Sequence, residues 1–194
     1  MRNVETFQRL VAQRRGERGS MLLELLIAMV VLVIGLGGLL ALLVGSMSTN
    51  NTAGSDTTST MLAEHILEQT SAQPANSTTN LSVTDCAGTL WTIATAGAAK
   101  GSGTGSNGGN GANLTATGGV DWTQSYAAVP NGYAMQYVAC GAGGRQTTYD
   151  VRWDVITMSN YTRMVFVSAR PSNSGAVGGL HYVFPVNLRT IGGM

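Results

Sequence analysis

Residues 25–44 read LLIAMVVLVIGLGGLLALLV, twenty consecutive positions without a charged or strongly polar side chain. A helix rises about 1.5 Å per residue, so this stretch spans about 30 Å, the thickness of the hydrocarbon core of a bilayer. A helix buried in a soluble core would be shorter and would show a polar face. The stretch therefore predicts a transmembrane helix near the N-terminus.

The charges that flank the apolar run predict its orientation. Residues 1–19 hold five Arg against two Glu, a net charge of +3, while the whole chain carries only +1, so the remainder carries −2. Basic residues stay on the cytoplasmic side of a membrane, which places the N-terminus in the cytoplasm and the rest of the chain outside it. The weakly acidic remainder has no basic patch for nucleic acid, and we expect no nucleic-acid partner.

A cleaved secretory signal peptide is the alternative for this segment. Its apolar region is normally about 7–15 residues long, shorter than the run at 25–44, although Val44-Gly45-Ser46 forms a weak cleavage site. Glu24 lies at the edge of the apolar run. A carboxylate near the bilayer centre costs up to about 3 kcal/mol and usually marks a functional position, for which an ordinary signal peptide has no use.

Residues 19–24 read GSMLLE, which resembles the processing site of type IV prepilins. That site has a Gly, then the new N-terminal residue, then Glu as the fifth residue of the mature chain, followed by the apolar helix. The resemblance continues through Ala28 and the IGLGGL of residues 34–39, and it is closest to PilV-type minor pilins and the related type II secretion pseudopilins.

The resemblance implies a processing step and an assembly role. A prepilin peptidase would cut between Gly19 and Ser20 and then methylate the new Ser20 amine. The Ser20 ammonium would pair with Glu24, within one subunit or between neighbours, and set the register of stacked helices. The alternative is that Glu24 is merely solvated among lipid headgroups. The glycines at 35, 37 and 38 allow either close helix packing or local melting of the helix.

The two cysteines, Cys86 and Cys140, both follow the apolar segment and so lie on the same side of a membrane. In an oxidising compartment they can form a disulfide, which would close a loop of about 55 residues and stabilise the fold by roughly 4 kcal/mol. Two unrelated buried thiols are the alternative. The only histidines, His65 and His181, are far from either cysteine in sequence, so we expect no metal site and no cofactor.

The pattern after the apolar run predicts that the helix continues. A Ser/Thr/Asn stretch at 46–60 is followed by apolar residues at helical spacing, including Leu62 and Ile66, and Pro74 marks the end. We expect one helix over residues 20–73, whose second half is amphipathic and packs on the head.

Short β-like segments follow the helix. They lie at 90–95, 133–139, 149–156, 164–167 and 180–188, and Pro185 assigns the last one to a sheet edge. In segment 149–156 the apolar and aromatic residues alternate with Asp150, Arg152 and Asp154, which predicts a buried face and a solvated face. The expected fold is therefore α+β, with a long helix packed on a small antiparallel sheet.

Residues 97–119 contain nine Gly and predict a flexible loop. The GTGSNG of residues 103–108 formally matches a phosphate-binding loop, but no helix can begin in the NGGNG of residues 107–111, so we assign no phosphate site. The sequence has no Gly-x-Ser-x-Gly and no His-Glu-x-x-His motif. We expect a protein that is not an enzyme.

Together these features predict four regions. They are a cleaved basic leader at 1–19, a transmembrane helix at 20–44, an extracytoplasmic amphipathic helix at 45–73 and a β-rich head at 74–194. The resemblance implies a minor pilin, first in the bacterial inner membrane and then in a pilus at the cell surface, with other major and minor pilins and the pilus assembly machinery as partners. The alternatives are a pseudopilin, a signal-anchored periplasmic binding domain, or an adhesin that uses the Gly-rich loop.

Overall fold

The computed structural model describes residues 2–141, 144–172 and 184–193, and side chains from residue 21 onward. One helix, α1, runs without interruption from Arg2 to Ser71. It begins earlier than predicted because the leader is rich in good helix formers and contains no proline. It ends close to the predicted position, three residues before Pro74, which cannot continue a helix.

The chain divides into two compact units, residues 1–51 and residues 52–194. From residue 25 to residue 44 of the first unit, the helix presents apolar side chains on all sides. Between Met21 and Met47, nineteen large apolar side chains are each more than half exposed. The most apolar 18-residue window has a mean hydropathy of 2.9 and is not buried at all. This helix is therefore long and apolar enough to cross a membrane.

The polar stretch at 46–60 is helical although Ser and Thr are weak helix formers. Four threonine hydroxyls in it donate to the carbonyl four residues earlier, at 2.9–3.0 Å: Thr49, Thr57, Thr58 and Thr60. Such bonds satisfy the hydroxyls on the helix itself, and they compete for carbonyls that the backbone also uses.

Seven strands in two antiparallel sheets are present among the described residues. The smaller sheet pairs β1 (Leu81–Thr84) with β2 (Leu90–Ile93). In the larger sheet the central strand β5 pairs with β6 on one side and with β3 and β4 on the other, while β7 pairs with β6. These strands are β3 (Asn110–Gly111), β4 (Ala134–Cys140), β5 (Gln146–Thr157), β6 (Arg163–Pro171) and β7 (Val186–Gly192).

The second unit has its core where α1 packs on the larger sheet. Ala63 and Ile66 of the helix are fully buried in one apolar cluster with Trp153 of β5 and Val165 of β6. The predicted inward face of β5 is confirmed, since Tyr149, Val151, Trp153 and Val155 are all buried. The predicted fold class, a long helix packed on an antiparallel sheet, is likewise confirmed.

The prediction for the other face of β5 is wrong. Asp150, Arg152 and Asp154 are buried, with 6%, 2% and 0% of their surface exposed. The connection between β2 and β4 covers this face, where the Trp122 indole N–H donates to Ser168 Oγ of β6 at 3.1 Å. The central strand β5 is thus enclosed on both sides, and its polar residues must find partners inside the protein.

Candidate functional site

Glu24 is the only charged residue between Arg18 and Asp56, and its side chain is exposed on the apolar helix. The predicted processing site, Gly19 and Ser20, lies within the same helix, in the part whose side chains are outside the described residues. Because the helix is continuous, position 24 lies one turn after position 20, at the spacing where helical neighbours interact. The backbone is thus compatible with the pairing predicted from the sequence.

The glycines in the apolar helix have no packing partner among the described residues of the first unit. A Cβ built at Gly35, Gly37, Gly38 or Gly45 would meet no atom within 4 Å apart from the helix's own nearby backbone. The helix also continues through these positions without a break. Their small size therefore serves no contact that the described residues make, and it leaves a surface that another helix can approach closely.

The predicted disulfide between Cys86 and Cys140 is present, with 6.0 Å between the two Cα atoms. Both cysteines are exposed, so the alternative of two unrelated buried thiols is wrong. The bond joins the β1–β2 connection to the end of β4, where the Cys86 backbone N–H also donates to the Val138 carbonyl at 3.2 Å. The smaller sheet is thereby fastened to the larger one.

Asp85 strengthens the same junction, although no sequence pattern predicts this role. Its carboxylate accepts the Trp91 indole N–H at 3.0 Å and the Thr89 backbone N–H at 2.8 Å, and it lies 3.4 Å from the Val138 N–H. These donors favour the ionised form, so the Trp91 bond first and the backbone bonds next hold the pKa of Asp85 below its usual value. Asp85 therefore serves as a structural anchor beside the disulfide.

Arg152 forms the centre of a buried polar cluster on the covered face of the sheet. Its guanidinium donates to both oxygens of Asp150, at 3.0 and 2.7 Å, and to the Gln124 carbonyl at 2.6 Å. The Trp122 ring lies 4.6 Å from the Arg152 guanidinium and 4.1 Å from that of Arg170. A buried ion pair is stable only when its hydrogen-bonding groups have partners, and the Gln124 carbonyl, in the connection between β2 and β4, is one of those partners. The cluster therefore holds this connection on the strands.

Hydrogen bonds connect the Gly-rich loop to itself and to the sheet, while its predicted flexibility stays a prediction. Side chains inside the loop hold its backbone, since Asn110 Oδ1 accepts the Thr104 N–H and Asn113 Oδ1 accepts the Ser106 N–H. The loop also joins the sheet where the Ala112 N–H donates to the Trp153 carbonyl at 2.9 Å. Its many small residues allow close approach to the strands, which composition alone does not reveal.

Asp154 lies where this loop meets β5. Its Oδ1 accepts the Gly109 backbone N–H at 2.8 Å, while no described residue donates to its Oδ2. Burial raises the pKa of Asp154 to about 7, and the Gly109 hydrogen bond opposes this rise. Asp154 is thus a buried carboxyl that titrates near neutrality, at a position where the sequence predicted a solvated acid.

Comparisons with known proteins identify no relative, since no protein-family model, no curated protein and no solved structure matches this chain. Within the part of the chain that the structure describes, no three His, Cys, Asp or Glu side chains are grouped so that they could hold a metal ion. The apolar helix with Glu24, and the disulfide-fastened head, are therefore the features from which a function is argued.

Proposed function

We propose that the chain is a pilin-like subunit that performs no chemistry and acts by assembling with other subunits. In this proposal it is a minor pilin of a type IV pilus, anchored in the bacterial inner membrane with its N-terminus in the cytoplasm and its head in the periplasm. The observation that carries the proposal is the exposed apolar helix, which follows a prepilin-like GSMLLE sequence and continues without a break into the helix of the head.

The exposed apolar surface must be covered by something outside the monomer. Burying one large apolar side chain contributes about 1.5–3 kcal/mol, and the first unit exposes nineteen of them. A bilayer can cover them when the chain is anchored, and the helices of neighbouring subunits can cover them in a filament. The same surface therefore suits both states of a pilin-like protein, before and after assembly.

The presence of Glu24 favours a role of the apolar helix in assembly over a role in membrane anchoring alone. A carboxylate makes insertion of an apolar helix less favourable, so anchoring alone does not explain it. A mature N-terminus at Ser20 would supply an ammonium group one helical turn away or on a neighbouring helix. Pairing the two charges would lower the cost of placing each in a poorly hydrated filament core.

The test is mass spectrometry of the N-terminus of the native protein. We expect a chain that begins at Ser20 with one added methyl group. Gly19→Ala should leave uncut precursor in the inner membrane, whereas the matched control Gly16→Ala, in the same leader, should be processed normally. A mature N-terminus near Met47 would instead show cleavage by an ordinary signal peptidase and would contradict the proposal.

A second measurement distinguishes a pilus subunit from a type II secretion pseudopilin, which would share the anchor. We expect the processed protein in filaments sheared from the cell surface, together with other major and minor pilins. Recovery only in the inner membrane, with loss of protein secretion in a deletion strain, would assign it to the secretion machinery.

A further inference from the structure

The Asp154 carboxyl is enclosed by residues 101–112, the part of the Gly-rich loop that is here called the glycine loop. A Cβ added to Gly105 or to Gly108 would lie 2.5 Å from Asp154 Oδ2, so the backbone of the loop rests directly on the carboxyl. Asp154 has no exposed surface, and its Oδ2 has no donor among the described residues. The enclosure is tight enough to exclude water from this oxygen.

The surroundings of Oδ2 disfavour a negative charge. The Cβ position of Gly105, which is 2.5 Å from Oδ2, also lies 2.9 Å from the Ala112 carbonyl oxygen and 3.2 Å from that of Gly111, so these two carbonyls lie on the side of Gly105 that faces the carboxyl. Carbonyl oxygens carry partial negative charge, and they repel a carboxylate but accept a hydrogen bond from a protonated acid. The neutral form of Asp154 therefore fits this enclosure better than the ionised form.

No neighbouring charge compensates an ionised Asp154 in the described part of the head. Arg152, two residues earlier on the same face of β5, is committed to Asp150. From β3 the partner of Asp154 is Gly111, and from β6 it is Phe166. The titratable Tyr133 is close enough that Asp154 contributes to the rise in its pKa, but its hydroxyl donates to the Ala96 carbonyl.

We propose that Asp154 is a proton-binding site that fastens the glycine loop to the sheet, and that loss of the proton loosens the loop. Protonated Asp154 tolerates the dry enclosure and leaves the loop closed. Ionised Asp154 requires water, which can reach it only when the loop moves away from β5. The head would thus carry a loop whose opening responds to the pH of its surroundings.

The direction of the pH dependence follows from the two states of the loop. In the closed state the pKa of Asp154 is raised to about 7, whereas in an open, solvated loop it returns to an ordinary value near 3.9. The closed state therefore binds more protons between these two values. Closure of the loop is favoured at acidic pH, weakens as pH rises through this window, and changes little above it. The equilibrium constant for closure is expected to fall by about 100-fold in total between pH 5 and pH 8.

Hydrogen exchange measured by mass spectrometry on the full chain in detergent tests this proposal. After correction for intrinsic exchange, amide protection in residues 101–112 should fall on the order of 100-fold from pH 5 to pH 8, while residues 163–171 of β6 stay protected. Asp154→Asn, whose side chain is neutral at all pH values, should remove the pH dependence. The exposed control Glu64→Gln should behave like wild type.

Several results would overturn the proposal. Equal protection of the loop at both pH values in the wild-type chain would do so, as would an unchanged pH response in Asp154→Asn. Protection that returns at pH 8 only on addition of calcium would assign the site to a cation instead of a proton. If the variant does not fold, infrared spectroscopy of the wild type decides, because a protonated-carboxyl band must disappear as the pH is raised through about 7.

Discussion

At the scale of single residues, the polar interior of the head depends on a few side chains with specific partners. Arg163 is completely buried, yet only its Nη1 has a partner among the described residues, the Thr95 carbonyl at 3.2 Å. Burial lowers the pKa of this guanidinium. Asp154 and Arg163 are therefore two buried ionisable groups, one acidic and one basic, and neither has an ion partner in the part of the head that the structure describes; a charge so placed is costly in a protein interior.

Gly108 provides a prediction at this scale. Gly108→Ala places a Cβ 2.5 Å from Asp154 Oδ2, so the loop or the carboxyl must shift. We expect the free energy of unfolding to fall by about 1–3 kcal/mol, measured by urea denaturation followed through tryptophan fluorescence. In the control Gly119→Ala the nearest atoms lie 3.7 Å away, and a change within about 0.5 kcal/mol is expected. Equal losses in both variants would contradict a specific clash at Gly108.

At the scale of the elements, the sequence predicts a helix or strand best where the hydrophobic periodicity of a segment and its length both indicate the same element. The alternation in residues 149–156 predicts β5 and its inward face, and Pro74 predicts the end of α1. The two residues of β3 are Asn and Gly, which carry no strand signal. The burial of the polar face of β5 could not be predicted from β5 itself, because the glycine loop and Trp122 that cover it are distant in sequence and show no apolar periodicity.

Ile66 tests whether the helix is part of the head's core. Its side chain is fully buried against the sheet, so Ile66→Ala should lower the free energy of unfolding by about 2–5 kcal/mol. Met61, on the same helix, is 64% exposed, and Met61→Ala should change stability by less than about 0.5 kcal/mol. Thermal unfolding of the head, followed by near-UV circular dichroism, measures both. A stable Ile66→Ala variant would show that the helix contributes little to the core.

At the scale of the whole molecule, the first unit exposes apolar side chains that other molecules must cover, whereas the second unit buries its own apolar core. The first unit exposes an apolar helix and holds no charge from residue 21 onward except Glu24. The second unit encloses a polar sheet face and a continuous apolar core, and an exposed disulfide joins its two sheets. The predicted helix and disulfide are confirmed, while the processing at Gly19 and the partners of Glu24 stay predictions, because they depend on molecules outside the chain.

Glu24→Ala tests the assembly role at this scale. The apolar segment alone suffices for insertion, so we expect a processed, membrane-resident protein. It should fail to enter or initiate filaments, because the N-terminal ammonium would be left unpaired at a cost of several kcal/mol. Fractionation of sheared filaments and complementation of a deletion strain measure this outcome, with Glu68→Ala as the control. Normal piliation by Glu24→Ala would mean that the carboxylate is only solvated among headgroups.

The disulfide also determines how the chain responds to mechanical force. Cys86 and Cys140 are 54 residues apart in sequence but only 6.0 Å apart between Cα atoms. When the two ends of the chain are pulled, the covalent bond carries the tension past the enclosed segment, which includes β2, β3 and the glycine loop. The bond thereby withholds about 180 Å of extension that a reduced chain would release. The least regular part of the head is thus shielded from load as long as the two sulfurs remain joined.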